Sequence, residues 1–319
     1  MAFAHPEYLV TTDWLAERLG DADVRVFETT VFLHRGEGGV RAESGRAQYD
    51  TGHIPGAGFL ELQAEFSDNE QPYRFMMPSA EAFAEAAGRH GISESSRLVL
   101  YDRLGSQWAA RFWWMFRSMG CTGAVVLDGG WTRWTAESRA VSTEPATYAP
   151  AIFNPSFDAA RFADLGEVKA FMESGGGSCL INALGRDQHS GEDGGRTYGR
   201  AGHIPGATNV PSGELIDSNT GRYRPAEELA ALFESAGADP AQRVVTYCGG
   251  GIAASNDAFV LAMLGYQNVA VYDASMSEYA ADPSLPLVAA CVMAQSATSG
   301  SDGSAAYSDI EASNTATFW

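Results

Sequence analysis

The chain contains the same sequence pattern twice, and this internal duplication constrains its fold more than any other feature. Three blocks occur in both halves and in the same order: 49–62 with 199–212, 97–120 with 243–265, and 124–134 with 269–279. The first pair shares the string GHIPGA, and the partners are 150, 146 and 145 residues apart. Chance similarity would not preserve both order and spacing, so the sequence predicts two copies of one fold in tandem.

Each half alternates short β-branched runs with helical patterns. This is typical of an α/β fold in which a largely parallel sheet is flanked by helices. In the second half we predict a helix over 225–237, another helix after the glycines, and strands over 178–183, 243–248 and 269–274. The length of 319 residues suits two domains of ordinary size. The predicted fold class is therefore α/β, as tandem duplicated domains.

Changes of composition along the chain place the domain boundaries. We predict an N-terminal domain over 1–145, a linker rich in proline and alanine over 146–156, a C-terminal domain over 157–288 and a flexible tail over 289–319. The tail consists mainly of small and polar residues without periodicity, and such a composition disfavours a packed core there.

Net charge and cysteine content limit the kinds of binding partner and the cellular compartment that we expect for this chain. The net charge of −19 disfavours nucleic acid and anionic membrane surfaces as partners. The chain has no run of about 18 apolar residues and no basic, apolar leader, so we expect neither a membrane span nor a signal peptide. Its four cysteines, Cys121, Cys179, Cys248 and Cys291, form no CxxC pair. That spacing argues against a metal site or a disulfide framework and for a reducing, cytoplasmic setting.

Cys248 differs from the other cysteines in what surrounds it. It ends a predicted strand, where open α/β sheets bind ligands. The loop and the start of the helix that follow it comprise Gly249, Gly250, Gly251, Ile252 and Ala253. Glycines let successive backbone N–H groups point at one spot, and a helix N-terminus adds partial positive charge there. Both effects favour a thiolate, so we predict that Cys248 is a nucleophile, whereas packing explains the other three.

The duplication supplies an internal comparison for this cysteine. Aligning the halves places Asp102 at the position of Cys248, and Tyr101 matches Tyr247. The first copy also has the bulky string RLGSQW in place of the glycine loop. It cannot perform thiol chemistry there, so we predict that the C-terminal copy is catalytic and that the N-terminal copy supports it.

The paired HIPGA motifs, LDGGW at 127–131 and YCGGG at 247–251 resemble those of two-domain rhodanese-type sulfurtransferases, the family of thiosulfate and 3-mercaptopyruvate sulfurtransferases. The resemblance covers about residues 5–288. It implies two rhodanese-like domains and a loop cysteine, here Cys248, that takes the outer sulfur of a small anionic donor and becomes a persulfide. Cyanide, a small thiol or a thioredoxin-like protein would then accept the sulfur. It implies neither a metal nor an organic cofactor.

By the same resemblance, the segment ahead of the second HIPGA binds the donor. Arg186 and Arg196 match the two arginines of the mercaptopyruvate branch, and a guanidinium holds a carboxylate or thiosulfate oxygens through paired hydrogen bonds. Asp273 and Ser275 match the aspartate and serine that the thiosulfate branch has after its equivalent strand. They would hydrogen-bond near the sulfur or position a water. A turn that caps the strand is the alternative role.

The sequence departs from both branches where the donor is selected. Gly249 and Gly250 replace the Arg-Lys pair of the thiosulfate branch, and Gly250 replaces the serine of the CGSG loop in the mercaptopyruvate branch. Gln63 and Phe75 stand where an aspartate and a histidine of the first domain would complete a relay with that serine. The residues therefore leave the choice between thiosulfate and 3-mercaptopyruvate open.

Two other functions fit parts of the pattern. A persulfide carrier or redox-sensing module would use Cys248 but would need a protein partner for turnover. A phosphatase of the same fold needs an arginine six positions after its cysteine, whereas this chain has Ala254 there and a loop that is one residue too short. We therefore predict a sulfurtransferase, with the carrier as the alternative.

Overall fold

Two parallel sheets with the same strand order form the framework of the protein. The computed structural model describes residues 1–36, 39–174, 178–195 and 197–289. The strands are β1 (Leu9–Val10), β2 (Val24–Glu28), β3 (Val31–Gly36), β4 (Gly39–Ser44), β5 (Ala57–Phe59), β6 (Arg97–Tyr101), β7 (Ala124–Leu127), β8 (Phe162–Ala163), β9 (Ser178–Asn182), β10 (Thr208–Asn209), β11 (Arg243–Tyr247) and β12 (Val269–Tyr272). The α-helices are α1 (Thr12–Ala16), α2 (Arg46–Thr51), α3 (Leu62–Glu65), α4 (Ala80–Arg89), α5 (Gln107–Ser118), α6 (Gly130–Ala136), α7 (Leu165–Ser174), α8 (Arg186–Ser190), α9 (Ala226–Ser235), α10 (Ile252–Met263) and α11 (Ser275–Tyr279).

The strand order shows the duplication directly. The first sheet runs β1-β7-β6-β2-β5 and the second runs β8-β12-β11-β9-β10, with every neighbouring pair parallel. The central strands β6 and β11 are apolar runs buried along most of their length, as expected where both faces of a parallel sheet are covered. The prediction of two α/β domains with parallel sheets flanked by helices is confirmed.

An antiparallel hairpin is added to the first domain. Strands β3 and β4 pair with each other, with Val31 opposite Ser44, and stand apart from the five-stranded sheet. The described strands of the second domain include no counterpart. The hairpin was not predicted, because its tip sequence RGEGGVR alternates too weakly to separate strand from loop.

The two domains share one apolar core. The equivalent helices α5 and α10 pack against each other between the sheets. Trp113 of α5 meets Phe259 of α10 edge-on, with ring centroids 4.8 Å apart, and both side chains are fully buried. A continuous cluster of buried apolar residues extends from Phe27 in the first domain to Val271 in the second. The interface therefore holds the domains in one arrangement, and the loops before α5 and α10 both lie beside it.

A reciprocal pair of hydrogen bonds crosses this interface. Asp128 follows β7, and its Oδ1 accepts the backbone N–H of Tyr223 from the second domain at 3.0 Å. Asp273 follows β12, and its Oδ2 accepts the backbone N–H of Met77 from the first domain at 2.7 Å. Each domain thus sends a segment across to the strand end of the other, so the loop after β11 is covered by residues of the first domain.

The structure also bears on the predicted limits of the domains. The first sheet lies within 1–145 and the second within 157–288, while the boundaries themselves stay a prediction. Of the predicted tail, 290–319 lies outside the described residues, and so does Cys291. None of the helices in the described ranges is long and apolar enough to cross a membrane.

Candidate active site

Cys248 is the first residue after β11, at the carboxyl end of the second sheet. Its residue surface is 3% exposed. Its backbone N–H donates to Ser275 Oγ at 3.0 Å, and its carbonyl accepts the N–H of Met276 at 3.1 Å. The cysteine therefore occupies the predicted position, and the turn at 275–276 fixes its backbone from both sides.

The glycine loop makes a tight passage from β11 into α10. Gly251 is the N-cap of α10 and has a left-handed φ of +77°. A Cβ at this position would lie 2.5 Å from Asp273 Oδ1, so both conformation and space require glycine. At the other end of the loop, the carbonyl of Gly249 accepts the N–H of Ser277 at 3.0 Å and its hydroxyl at 2.6 Å. Ile252 and Ala253 form the first turn of the helix.

Ser275 and Asp273 both lie at the loop, but they do different things. Ser275 has a left-handed φ of +53°, and its hydroxyl donates to Tyr272 O at 2.6 Å while it accepts the N–H of Cys248. Such a conformation costs a non-glycine residue of order 1–3 kcal/mol and persists where surrounding contacts hold it. Ser275 therefore positions the Cys248 backbone, whereas Asp273 takes part in the contact between domains.

Arg111, which the sequence reasoning did not single out, connects the first domain to the loop. It is fully buried on α5, and its Nη1 donates to Asp273 Oδ1 at 2.6 Å. Its Nη2 donates to Phe75 O at 2.7 Å, and Nη1 lies 3.5 Å from Ser255 Oγ. The Ser255 hydroxyl donates in turn to Gly251 O at 2.6 Å. The available signal was one arginine inside the otherwise apolar stretch AARFWWMF.

Phe75 and Gln63, which stand where the residues of a proton relay would be, have different surroundings in the structure. Phe75 has a left-handed φ of +63°, and its ring lies 4.0 Å from the position of a Cβ on Gly250. It also meets Trp108 edge-on, with centroids 5.5 Å apart, so it forms an aromatic wall over the loop. Gln63 lies on α3, where its carbonyl accepts from Asn69 Nδ2 at 2.8 Å. A phenylalanine and a glutamine supply neither the base nor the carboxylate of a proton relay.

The predicted donor-binding arginines are only partly described. Arg186 begins α8 and forms a bidentate ion pair with Glu214, with Nε–Oε1 at 2.7 Å and Nη2–Oε2 at 2.6 Å. Its side chain is 67% exposed, and the hydrogen bonds that it donates to the Glu214 carboxylate raise its pKa. Arg196 lies outside the described residues. The role of both in donor binding therefore stays a prediction.

The first domain shows what the equivalent loop encloses when it carries an acid. Asp102 is buried, and four backbone N–H groups donate to its carboxylate. Oδ1 accepts from Leu104 at 2.7 Å and Ser106 at 3.0 Å, and Oδ2 accepts from Trp108 at 2.8 Å and Ala109 at 3.0 Å. The loop and the first turn of α5 thus wrap around the Asp102 carboxyl group at the position that Cys248 holds in the second domain, and burial raises the pKa of that carboxyl group against the lowering effect of the four N–H donors.

The other two described cysteines lie outside the glycine loop. Burial raises the pKa of Cys121 to about 11, and burial likewise raises the pKa of Cys179. All three described cysteines are buried free thiols in the same apolar cluster, and only Cys248 adjoins the glycine loop. Among the described residues, no cluster of three or more His, Cys, Asp or Glu side chains could hold a metal ion.

Comparison with known proteins places the chain in a family. The model of the rhodanese-like domain matches residues 11–137 and 167–282. The sulfur carrier protein TtuD of Thermus thermophilus is 34% identical over 88% of this chain and 95% of its own length. The thiosulfate sulfurtransferase of Cricetulus griseus is 33% identical over 85% of this chain and 91% of its own. The chain therefore belongs to the rhodanese family.

A solved structure extends the agreement to the whole fold. The crystal structure of SseA from Escherichia coli, a 3-mercaptopyruvate sulfotransferase, superposes with a TM-score of 0.74 at 29% identity. The match covers 84% of this chain and 98% of that chain. The resemblance to two-domain rhodanese-type sulfurtransferases, inferred from the motifs, is thereby confirmed.

Proposed function

We propose that this protein is a sulfurtransferase in which Cys248 carries a sulfane sulfur from a small anionic donor to a thiophilic acceptor. The observation that carries the proposal is the contrast between the two loops. In the first domain, backbone N–H groups surround the Asp102 carboxylate. In the second, the equivalent place is held by Cys248, between a strand end and the N-terminus of α10. A loop suited to an anion favours a thiolate and, after transfer, a persulfide anion.

The proposed chemistry has two steps and needs no cofactor. The Cys248 thiolate attacks the outer sulfur of the donor, the new S–S bond forms, and the donor's bond to that sulfur breaks. Thiosulfate would leave as sulfite. 3-Mercaptopyruvate would leave as pyruvate, with the thiol proton ending on its methyl carbon. Cyanide, a small thiol or a thioredoxin-like protein then takes the outer sulfur and restores the Cys248 thiolate. Atoms and charge therefore balance over each cycle.

The donor would be bound by groups around the loop, because the loop itself carries no cation. The loop carries no cation at Gly249 or Gly250, so backbone N–H groups, together with Arg186 and Arg196 as predicted, would hold the anion. Glu214 accepts two of the five N–H groups of Arg186, so the remaining N–H groups of the guanidinium would bind the donor. The free thiols of the described cysteines fit a reducing setting, and we place the protein in the cytoplasm.

A second candidate function is a persulfide carrier that passes sulfur to another protein. The Thermus thermophilus relative, a sulfur carrier protein, favours this possibility. The two functions differ in turnover, because a carrier needs its protein partner for every cycle. Repeated cycles with a small donor and cyanide alone would support the sulfurtransferase.

The first experiment is steady-state kinetics of purified protein with thiosulfate and with 3-mercaptopyruvate, using cyanide as acceptor and thiocyanate as the measured product. We expect multiple turnovers with at least one donor, and no turnover after Cys248→Ser. Cys179→Ser is the matched control, since this thiol lies on β9 beside Val244, away from the glycine loop, and its loss should leave the rate unchanged. Sulfur transfer by the Cys248→Ser protein would refute the proposal.

A further inference from the structure

Tyr198 lies against the loop at the residue that follows the cysteine. It belongs to the segment between α8 and β10, ahead of the second HIPGA motif, and its side chain is half-buried. A Cβ placed on Gly249 would come within 2.6 Å of Tyr198 Cζ and 2.9 Å of Cε1, and closer still to the phenol oxygen. The phenol therefore fills the volume that any side chain at position 249 would need.

This contact explains a glycine that the backbone does not require. Gly251 has a left-handed φ and must be glycine for that reason, whereas Gly249 is not among the residues with positive φ. The absence of a side chain at 249 is thus a matter of space, because the Tyr198 ring occupies it. A cation at position 249 and a tyrosine at position 198 exclude each other in this packing.

The surroundings of the loop define what the phenol would meet. Beside Gly250 lie the Phe75 ring, with Cδ2 at 4.0 Å, and Ser277 Oγ at 4.0 Å from the position of a Cβ. The buried guanidinium of Arg111 is already held by Asp273 and by the Phe75 carbonyl. The Arg74 carbonyl is the third neighbour of that position, at 3.6 Å, so no cationic side chain of the described residues lies within 4 Å of it, and a phenol O–H can donate to an anionic oxygen.

We propose that Tyr198 is a positioning and specificity-determining residue for the sulfur donor. Its phenol O–H donates a hydrogen bond to an anionic oxygen of the bound donor, in place of a cation on the loop, while its ring limits the width of the opening. This rests on the proposed function, because the donor is bound beside Cys248. Cys248 alone performs the chemistry at the sulfur, and Tyr198 takes no part in it.

The test compares Tyr198→Phe with the wild type in steady-state kinetics, with thiosulfate and 3-mercaptopyruvate as donors and cyanide as acceptor. Loss of one hydrogen bond to a charged group should raise the donor KM by roughly tenfold or more. The KM for cyanide and the rate of Cys248 alkylation by iodoacetamide should stay within about twofold of wild type, since the thiol is untouched. Tyr148→Phe is the matched control, because this half-buried tyrosine donates to Gly56 O in the first domain.

A second pair of variants tests the geometry. Gly249→Ala should force Tyr198 aside and raise the donor KM, but it should have little further effect in a Tyr198→Ala background. An unchanged donor KM in Tyr198→Phe, or equal effects of Gly249→Ala in both backgrounds, would overturn the role of Tyr198 and leave the proposed function standing. Failure of the wild type to transfer sulfur from either donor would overturn both.

Discussion

The buried ion pair between Arg111 and Asp273 should make the first domain necessary for an intact loop in the second. Arg111 is fully buried and the Asp273 side chain is 8% exposed, with Nη1 and Oδ1 2.6 Å apart. Replacement of Arg111 by methionine keeps much of the side-chain volume but leaves a buried carboxylate, whose remaining described donor is the Met77 N–H. Breaking such a pair from one side costs about 3–5 kcal/mol.

A double-mutant cycle separates the free energy of the Arg111–Asp273 ion pair from the free energy lost through poorer packing. Asp273→Asn alone leaves the Arg111 cation buried and should also cost about 3–5 kcal/mol. The double variant removes both charges and leaves mainly the Phe75 carbonyl without its donor, a cost of about 1–3 kcal/mol. The two single losses should therefore exceed the double loss by at least about 3 kcal/mol.

The assay is urea unfolding followed by tryptophan fluorescence, because Trp108 and Trp113 are fully buried on α5 at the interface. Alkylation of Cys248 by iodoacetamide, measured in native buffer, reports the loop in the same samples. We expect Arg111→Met to shift the urea midpoint down and to change the alkylation rate. A loss below about 1 kcal/mol, or single effects that simply add, would show that the ion pair does not couple the domains.

Three further predictions follow from single sites. Iodoacetamide should modify Cys248 in the native protein before Cys121 and Cys179, because burial raises the pKa of the Cys121 and Cys179 thiols. Peptide mass mapping at successive times measures the order of modification. Asp102→Asn should lower the free energy of unfolding by about 2–5 kcal/mol, because an amide cannot accept hydrogen bonds from all four N–H groups that donate to the carboxyl group. Urea unfolding measures this loss, and an unchanged urea midpoint would contradict the prediction. Burial lowers the pKa of His189 to about 4. The unfolded imidazole titrates near pH 6.5, so the stability that neutral His189 contributes is complete above that pH and is lost as the pH falls toward 4. Between pH 7.5 and 5.0 the wild type should lose about 2 kcal/mol more than His189→Gln, and equal losses in urea unfolding would argue against it.

Much of the fold and the position of the nucleophile were predictable from neighbours in sequence. The helix predicted over 225–237 is observed as Ala226–Ser235, and the strand predicted over 243–248 is observed as Arg243–Tyr247. These elements follow from the periodicity of apolar residues and from proline and glycine at their ends. Cys248 could be singled out because a strand end, a glycine loop and a helix start are consecutive there.

The supporting residues of the site could not be found in this way. Asp273 was singled out because it follows a strand, and its role near the sulfur stays a prediction, but its ion pair with Arg111 of the first domain could not be predicted. The role of Arg186 in donor binding stays a prediction, and its pairing with Glu214, which lies 28 residues further along the chain, could not be predicted. In each case the partner is distant in sequence, and no local pattern reports it.

By itself, the sequence determined that the chain is a duplicated α/β protein, that one copy has lost its thiol, and that Cys248 is the candidate nucleophile. Periodicity, glycine placement and repetition are local properties, and each is written in consecutive residues. Only the tertiary structure decided what surrounds the loop. Arg111 and Asp273 are 162 residues apart in sequence, and Tyr198 contacts Gly249 from a different segment of the chain. Such contacts depend on how the two sheets and the helices between them pack, and the direction of a buried side chain is set by that packing.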